Sequence, residues 1–287
     1  MPIYAPTLPP RPDLGGGQPP LRVLMRFDLK RTLQQKLGRF FGFVFVSILL
    51  VEIIILYVRF LMKTNPAFGG VQDFANAVMT QGAAYQAGHL DNFVLTPLWF
   101  QVAMVGGGII ARDTLYRVRP LMYAHPVRPL DYLGAKFLFA SGLPFAIMLP
   151  FVLLPWMLSL LIAGSAGPIW TTLPLHLLPA ALVISVLMGS VTIGASALAG
   201  SPRASFGWVL GVVLGTLSLG AILGGILNTR AWLALSPAAL ATAWPQLFCG
   251  VEDPLLHWGP AILGTVGHIL LWTWLALSRT RPDEAVL

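Results

Sequence analysis

Apolar residues run through this chain in long blocks, and the charged residues collect between them. A bilayer core demands about 20 consecutive apolar residues from a spanning helix. Six blocks meet that length, near residues 39–62, 93–111, 132–163, 173–199, 206–227 and 255–278. The third is long and holds Pro144, Pro150 and Pro155, so it is expected to kink or to end in an interfacial segment. Ahead of the first block, residues 21–38 (LRVLMRFDLKRTLQQKLG) read as a helix ending near Gly38. Arg22, Arg26 and Lys30 share one ridge at four-residue spacing, and Leu33 and Leu37 drift onto the same side. This helix is expected to lie along the membrane surface. Residues 1–20 hold seven prolines and the Gly15-Gly16-Gly17 run, with neither an apolar core nor a cleavage pattern. They are expected to form a disordered cytoplasmic tail.

Two connections are more than simple loops. Residues 64–92 are polar with many small residues, room for a short helix on the outer face. Residues 229–254 are apolar but broken by Pro237 and Pro245. That pattern predicts short helices forming an outer re-entrant segment, which protein or water must cover. An even number of spans puts both termini on one side. Every lysine and arginine except Arg59, Lys63 and Arg230 falls on that side, while Asp73, Asp91, Glu252 and Asp253 fall on the other. The positive-inside bias therefore predicts cytoplasmic termini.

Composition agrees with the pattern. Of 287 residues, 56% are hydrophobic and 10% charged. Soluble domains carry about 25% charged residues, so the chain reads as an all-α, polytopic membrane protein. The net charge of +7 lies in the predicted cytoplasmic segments. Orientation and anionic lipid explain it without nucleic acid. The lone Cys249 excludes an intrachain disulfide and a cysteine metal cluster, and reads as an apolar filler. No GxxxxGK[ST] loop is present, so the chain has no ATPase motif of that kind and is expected to bind no cofactor itself. None of His89, His125, His176, His257 and His268 forms HExxH, and no metal site is expected. Glu52, Glu252 and Glu284 are the only glutamates. A serine–histidine dyad stays open on paper, from Ser141 or Ser196 with His176 or His268. Small serines in membrane helices more often serve packing. No inverted repeat of the secondary-transporter kind is visible.

The charged island between the second and third blocks, Gly106 to Lys136 (GGGIIARDTLYRVRPLMYAHPVRPLDYLGAK), carries the most functional information. Leu115, Val118, Leu121 and Met122 step by three and four residues and make an apolar stripe. Arg112, Arg117 and Arg119 surround it with charge, and Asp113 and Tyr116 add polar groups. A short basic loop of this kind either docks a soluble partner or lies on lipid headgroups. The island resembles the second-span exit and first cytoplasmic loop of ABC-2-type transporter permeases. The matching positions are Gly108, Arg112 and Asp113, then Pro126 and Arg128, then Tyr132 and Lys136. Tyr116-Arg117 and Pro120 depart from the family's usual pattern. The resemblance extends over roughly residues 21–280 through the interfacial helix, six spans and broken outer segment. It implies a permease, mostly an exporter in that family, lodged in a bacterial inner membrane. It also implies a second permease chain, homo- or heterodimeric, and two separate ATPase subunits that bind ATP and Mg. Residues 112–131 would then be the coupling loop, with Arg112, Asp113, Leu115, Tyr116, Arg117, Val118, Arg119, Leu121 and Met122 meeting the ATPase. A membrane anchor that recruits soluble partners through the same loop is the alternative.

Several isolated residues stand out. Glu52 lies mid-span, where an ionisable group costs a few kcal/mol unless it faces water or a partner. It reads as part of a translocation path or dimer seam, or else as a hydrogen-bonded packing residue. Arg59 is two turns away, about 10 Å, too far for a direct pair. Gly106, Gly107 and Gly108, with Gly211, Gly215, Gly220, Gly224 and Gly225, permit close helix contact. Asn228 and Arg230 mark the outer end of the fifth span, and Asp131 is placed to cap the third. Trp156, Trp170, Trp232, Trp244 and Trp258 are expected in the outer aromatic belt.

Overall fold

The computed structural model describes residues 20–64, 87–116, 129–163 and 168–280. All regular structure among them is helical. Six helices are long and apolar enough to cross a membrane, the mark of a multi-pass membrane protein. A preceding helix, α1 (Pro20–Gln34), leads into the first of them, α2 (Lys36–Thr64). Then come α3 (Ala87–Leu115), α4 (Pro129–Ala163), α5 (Pro168–Leu198) and α6 (Pro202–Leu227). A 3-10 turn (Arg230–Leu235) and α7 (Pro237–Phe248) occupy the broken apolar segment. The last long helix is α8 (Trp258–Thr280). The expected tail at 1–19 and residues 65–86 of the polar connection lie outside the described residues.

Four boundaries differ from the sequence expectation, each for a local reason. The first helix stops at Gln34 rather than Gly38, and Gly38 belongs to the opening turn of α2. A Cβ on Gly38 would fall 2.1 Å from the Thr32 carbonyl oxygen, so the tight junction between α1 and α2 admits no side chain there. The second span starts at Ala87, not Phe93, and continues past Ala111 to Leu115. Arg112, Asp113 and Leu115 are thus helical, not loop. The third span keeps Pro144, Pro150 and Pro155 inside one assigned helix of 35 residues. Asp131 is already within α4, the third residue of its first turn, instead of capping it.

Helices α3 and α5 form the centre. Their apolar windows are each 72% buried, against 17% for α6. α5 packs chiefly on α4 and α8. At Gly194 the α8 backbone comes so close that a Cβ would sit 2.8 Å from the Trp272 carbonyl oxygen. The absence of a side chain is what allows that crossing. α3 is irregular, with π-helical stretches at Leu90–Leu95 and Val102–Gly106 and a break at Gly107. Within a membrane such a break leaves backbone groups that no water can satisfy. Here α5 and α6 supply the partners. Ser196 Oγ accepts from the Ile110 and Ala111 amides at 2.9 and 3.0 Å, and the Ser205 hydroxyl donates to the Gly107 carbonyl.

α1 and the starts of α4 and α6 share one face of the bundle. The 3-10 turn and α7 lie at the other, called the distal face below. There Trp244 Nε1 donates to Thr265 at 2.9 Å, and His268 Nε2 lies 2.9 Å from the Leu235 carbonyl. Trp244 is buried in the core, packed against Phe248 and Trp258, rather than standing in an aromatic belt.

Gly194 and Gly211 give a paired test. Gly194→Ala forces a methyl into the α8 backbone and is expected to cost about 1–3 kcal/mol, the range for overpacked cores. Gly211→Ala meets nothing within 4 Å and should be near neutral. Thermal unfolding in detergent, read by size-exclusion fluorescence, checks the difference.

Candidate functional site

The described part of the charged island builds around one lysine. Lys136 lies two turns into α4, and its side chain is 1% exposed. An ammonium buried this deeply needs paired anions to remain charged. Two are present. Nζ donates to Asp28 Oδ1 and Oδ2 at 3.1 and 2.9 Å, and it lies 2.9 Å from Asp113 Oδ2. Asp28 comes from α1 and Asp113 from the end of α3. Tyr132, one turn before Lys136, donates its hydroxyl to Asp113 Oδ2 at 2.8 Å. Its ring centroid lies 5.4 Å from Nζ. Three elements distant in sequence are thus tied at a single buried point.

One ammonium facing two carboxylates leaves a negative excess. Arg31 and Arg112 lie close enough to act on these carboxylates electrostatically. Burial holds the Asp28 carboxyl above its ordinary value of 3.8, with Lys136 pulling it the other way. Relative to the unfolded chain, the fold thus holds the Asp28 proton more tightly. Asp28's own contribution turns against the folded state as pH rises from 3.8 through the raised value. Gly108 has a steric reason to be glycine. A Cβ there would meet Arg112 Nε at 3.0 Å and Pro202 at 3.1 Å, so the guanidinium folds back over Gly108 toward the start of α6.

Of the residues expected to meet a partner, Arg112 and Asp113 belong to or border this cluster. Asp113 is buried, so it is not a surface contact. Leu115 and Tyr116 are 51% and 66% exposed at the tip of α3. Arg117, Val118, Arg119, Leu121 and Met122 lie outside the described residues.

Glu52 is not on any outer surface of the chain. It is fully buried, and His89 Nε2 from the start of α3 lies 3.1 Å from its Oε2. The contact is at ion-pair distance without aligned hydrogen-bond geometry, and Glu52 Oε1 has no hydrogen-bond partner among the described residues. Phe93 stacks on His89 at 5.2 Å. Two residues beyond His89, Asp91 Oδ1 accepts from Thr242 of α7 at 2.6 Å. Arg59's side chain lies outside what is described. This arrangement buries Glu52 among α2 and α3 of the chain itself.

Two of the four residues weighed for a serine–histidine dyad have other partners. Ser196 is committed to two backbone amides, and His268 lies between the Leu235 carbonyl and the Trp272 indole. Burial pushes the Cys249 thiol up to about 12, which keeps it an inert apolar residue. No cluster able to hold a metal ion occurs among the described residues. Two partners escaped sequence reasoning, Asp28 and His89. Asp28 left a signal as the only carboxylate in the basic stretch 21–38. Compared with known proteins, the chain matches no family model and no curated protein.

Lys136→Met leaves Asp28 and Asp113 buried without their shared cation. The expected loss is about 3–5 kcal/mol, as for breaking one side of a buried ion pair. Adding Asp28→Asn and Asp113→Asn should recover most of it. Detergent thermal melts of the wild type, the single variant and the triple variant decide whether the cluster acts as one unit.

Proposed function

We propose that this chain is the permease subunit of an ABC transporter of the ABC-2 type, working as an exporter. In this reading two permease chains line the path, and two separate ATPase subunits supply the work. ATP and Mg belong to those partners. The chain sits in a bacterial inner membrane with both termini in the cytoplasm. The carrying observation is the Lys136 cluster, which joins both ends of the 117–128 segment to α1. α3 ends two residues after Asp113, and α4 begins seven residues before Lys136. A push on it therefore reaches α1, α3 and α4 together.

Such a push does work only if the partner contacts the segment differently in its two states. Exposed Leu115 and Tyr116 form the near edge of that contact. The break at Gly107 and the π-helical stretches of α3 give the pushed helix places to bend.

The test is co-purification of the tagged full chain in mild detergent beside Leu115→Asp and Tyr116→Asp. Both side chains are exposed, so neither change should disturb folding. An ATP-hydrolysing partner is expected with the wild type and lost with both variants. If no ATPase accompanies the wild type, the transporter reading fails and a membrane anchor takes its place.

A further inference from the structure

The distal face holds a feature that the proposed coupling does not use. Two cavities open on either side of Arg230, of about 420 and about 300 Å³. Both fall in the range of about 300–1,000 Å³ common for small-molecule sites. Asn228, Thr229 and Arg230 line both. The larger continues along α6 over Gly220, Ala221 and Gly225, with Leu233 of the 3-10 turn as its other wall. The smaller carries Asp253 and His257. One compartment is a groove along a membrane helix floored by Gly220, Ala221, Gly224 and Gly225, and the other adds the polar side chains of Asp253 and His257.

The backbone explains the channel. At Gly220 a Cβ would lie 2.7 Å from the Trp232 carbonyl oxygen, so the 3-10 turn rests directly on α6. Gly225, one turn nearer the helix end, has nothing within 4 Å of such a Cβ. The helix then stops in a left-handed Asn228, φ 51°, with the Thr229 amide bonded to the Gly224 carbonyl. This stop delivers Arg230 to the end of a spanning helix, the depth of the membrane–water boundary.

Arg230 is only partly engaged. Its Nη1 reaches both oxygens of Asp253, at 3.0 and 3.1 Å. A guanidinium has five donors in a planar fork suited to phosphate. Those on Nε and Nη2 find no acceptor among the described residues, and neither does the Asn228 amide. A charged donor set above an apolar channel, at headgroup depth, is complementary to a phosphate-bearing amphiphile.

We infer that the groove between α6 and the 3-10 turn binds one phospholipid, its phosphate on Arg230 and Asn228 and one acyl chain over Gly225. The Asp253 carboxylate beside Arg230 suits a zwitterionic head, with the lipid ammonium near the acid. The inference rests only on the chain's being a membrane protein, so it stands or falls apart from the transporter reading.

The test is native mass spectrometry of the full chain, delipidated in detergent and titrated with phosphatidylethanolamine. The wild type is expected to retain one tightly held lipid. Gly225→Leu puts a side chain into the groove from a position whose Cβ meets no atom within 4 Å, and Arg230→Gln removes the charge. Each should weaken binding about tenfold or more, the equivalent of roughly 1.4 kcal/mol. Gly215→Leu is the matched control, because its Cβ also meets nothing within 4 Å yet it lies outside the groove. It should bind as the wild type does. Equal binding by all four proteins overturns the site. Displacement of the lipid by millimolar inorganic phosphate would show a free-phosphate site and overturn the lipid assignment.

Discussion

A single buried ammonium organises one end of this protein. Putting Lys136 into the bundle costs several kcal/mol unless its charge is answered. α4 cannot supply the answer, since the acid it carries nearby, Asp131, lies outside the contacts Lys136 makes. The anions come from helices far apart in the chain. α1 is therefore not free to lie anywhere on the membrane surface, because Asp28 has to reach Lys136. The sharp junction at Gly38 follows from the same demand. A longer, softer link between α1 and α2 would let Asp28 drift away from its partner.

A second constraint acts on α3. Its π-helical stretches and its break at Gly107 displace backbone groups from the regular ladder, where lipid offers no substitute. The cost is met by hydroxyls on two other helices, Ser196 and Ser205. These serines explain why the small-residue ends of α5 and α6 pack exactly where α3 is broken, a job that alanine could do sterically but not chemically. Ser196 at 0% exposure accepts two amide hydrogens, which is all that its two lone pairs allow.

The spans were legible in sequence because bilayer thickness imposes a length that composition alone reveals. The Lys136 cluster was legible in part. Asp113, Tyr132 and Lys136 were singled out as positions of a family resemblance, but nothing local connects them to Asp28, 108 residues away. The same limit hid the Glu52–His89 contact. Helical periodicity predicts neighbours along one helix, as in weighing Glu52 against Arg59, and is silent on which helix lies alongside. The second-span boundary was missed for another reason. Hydropathy falls at Arg112 and Asp113, yet the helix continues, with Asp113 paired to Lys136 and Arg112 folded back over Gly108. Among the glycines, equal residues play unequal parts. Gly194 and Gly220 sit under other backbones, while Gly211, Gly215 and Gly225 face open space, and only packing separates the two groups.

Helix α3 is the element on which both polar clusters meet. Its start carries His89 against Glu52 and Asp91 against α7, and its end carries Asp113 against Lys136. Over 29 residues it extends roughly 43 Å at 1.5 Å per residue. A rigid rod of that length would pass any tilt at one end directly to the other. This helix is not a uniform rod. The break at Gly107 lies six residues before Asp113, and at and just after it the Ser205 and Ser196 hydrogen bonds hold α3 to α6 and α5. The buried charges fix the ends of α3, and the hydroxyls of α5 and α6 hold its irregular stretch near Gly107.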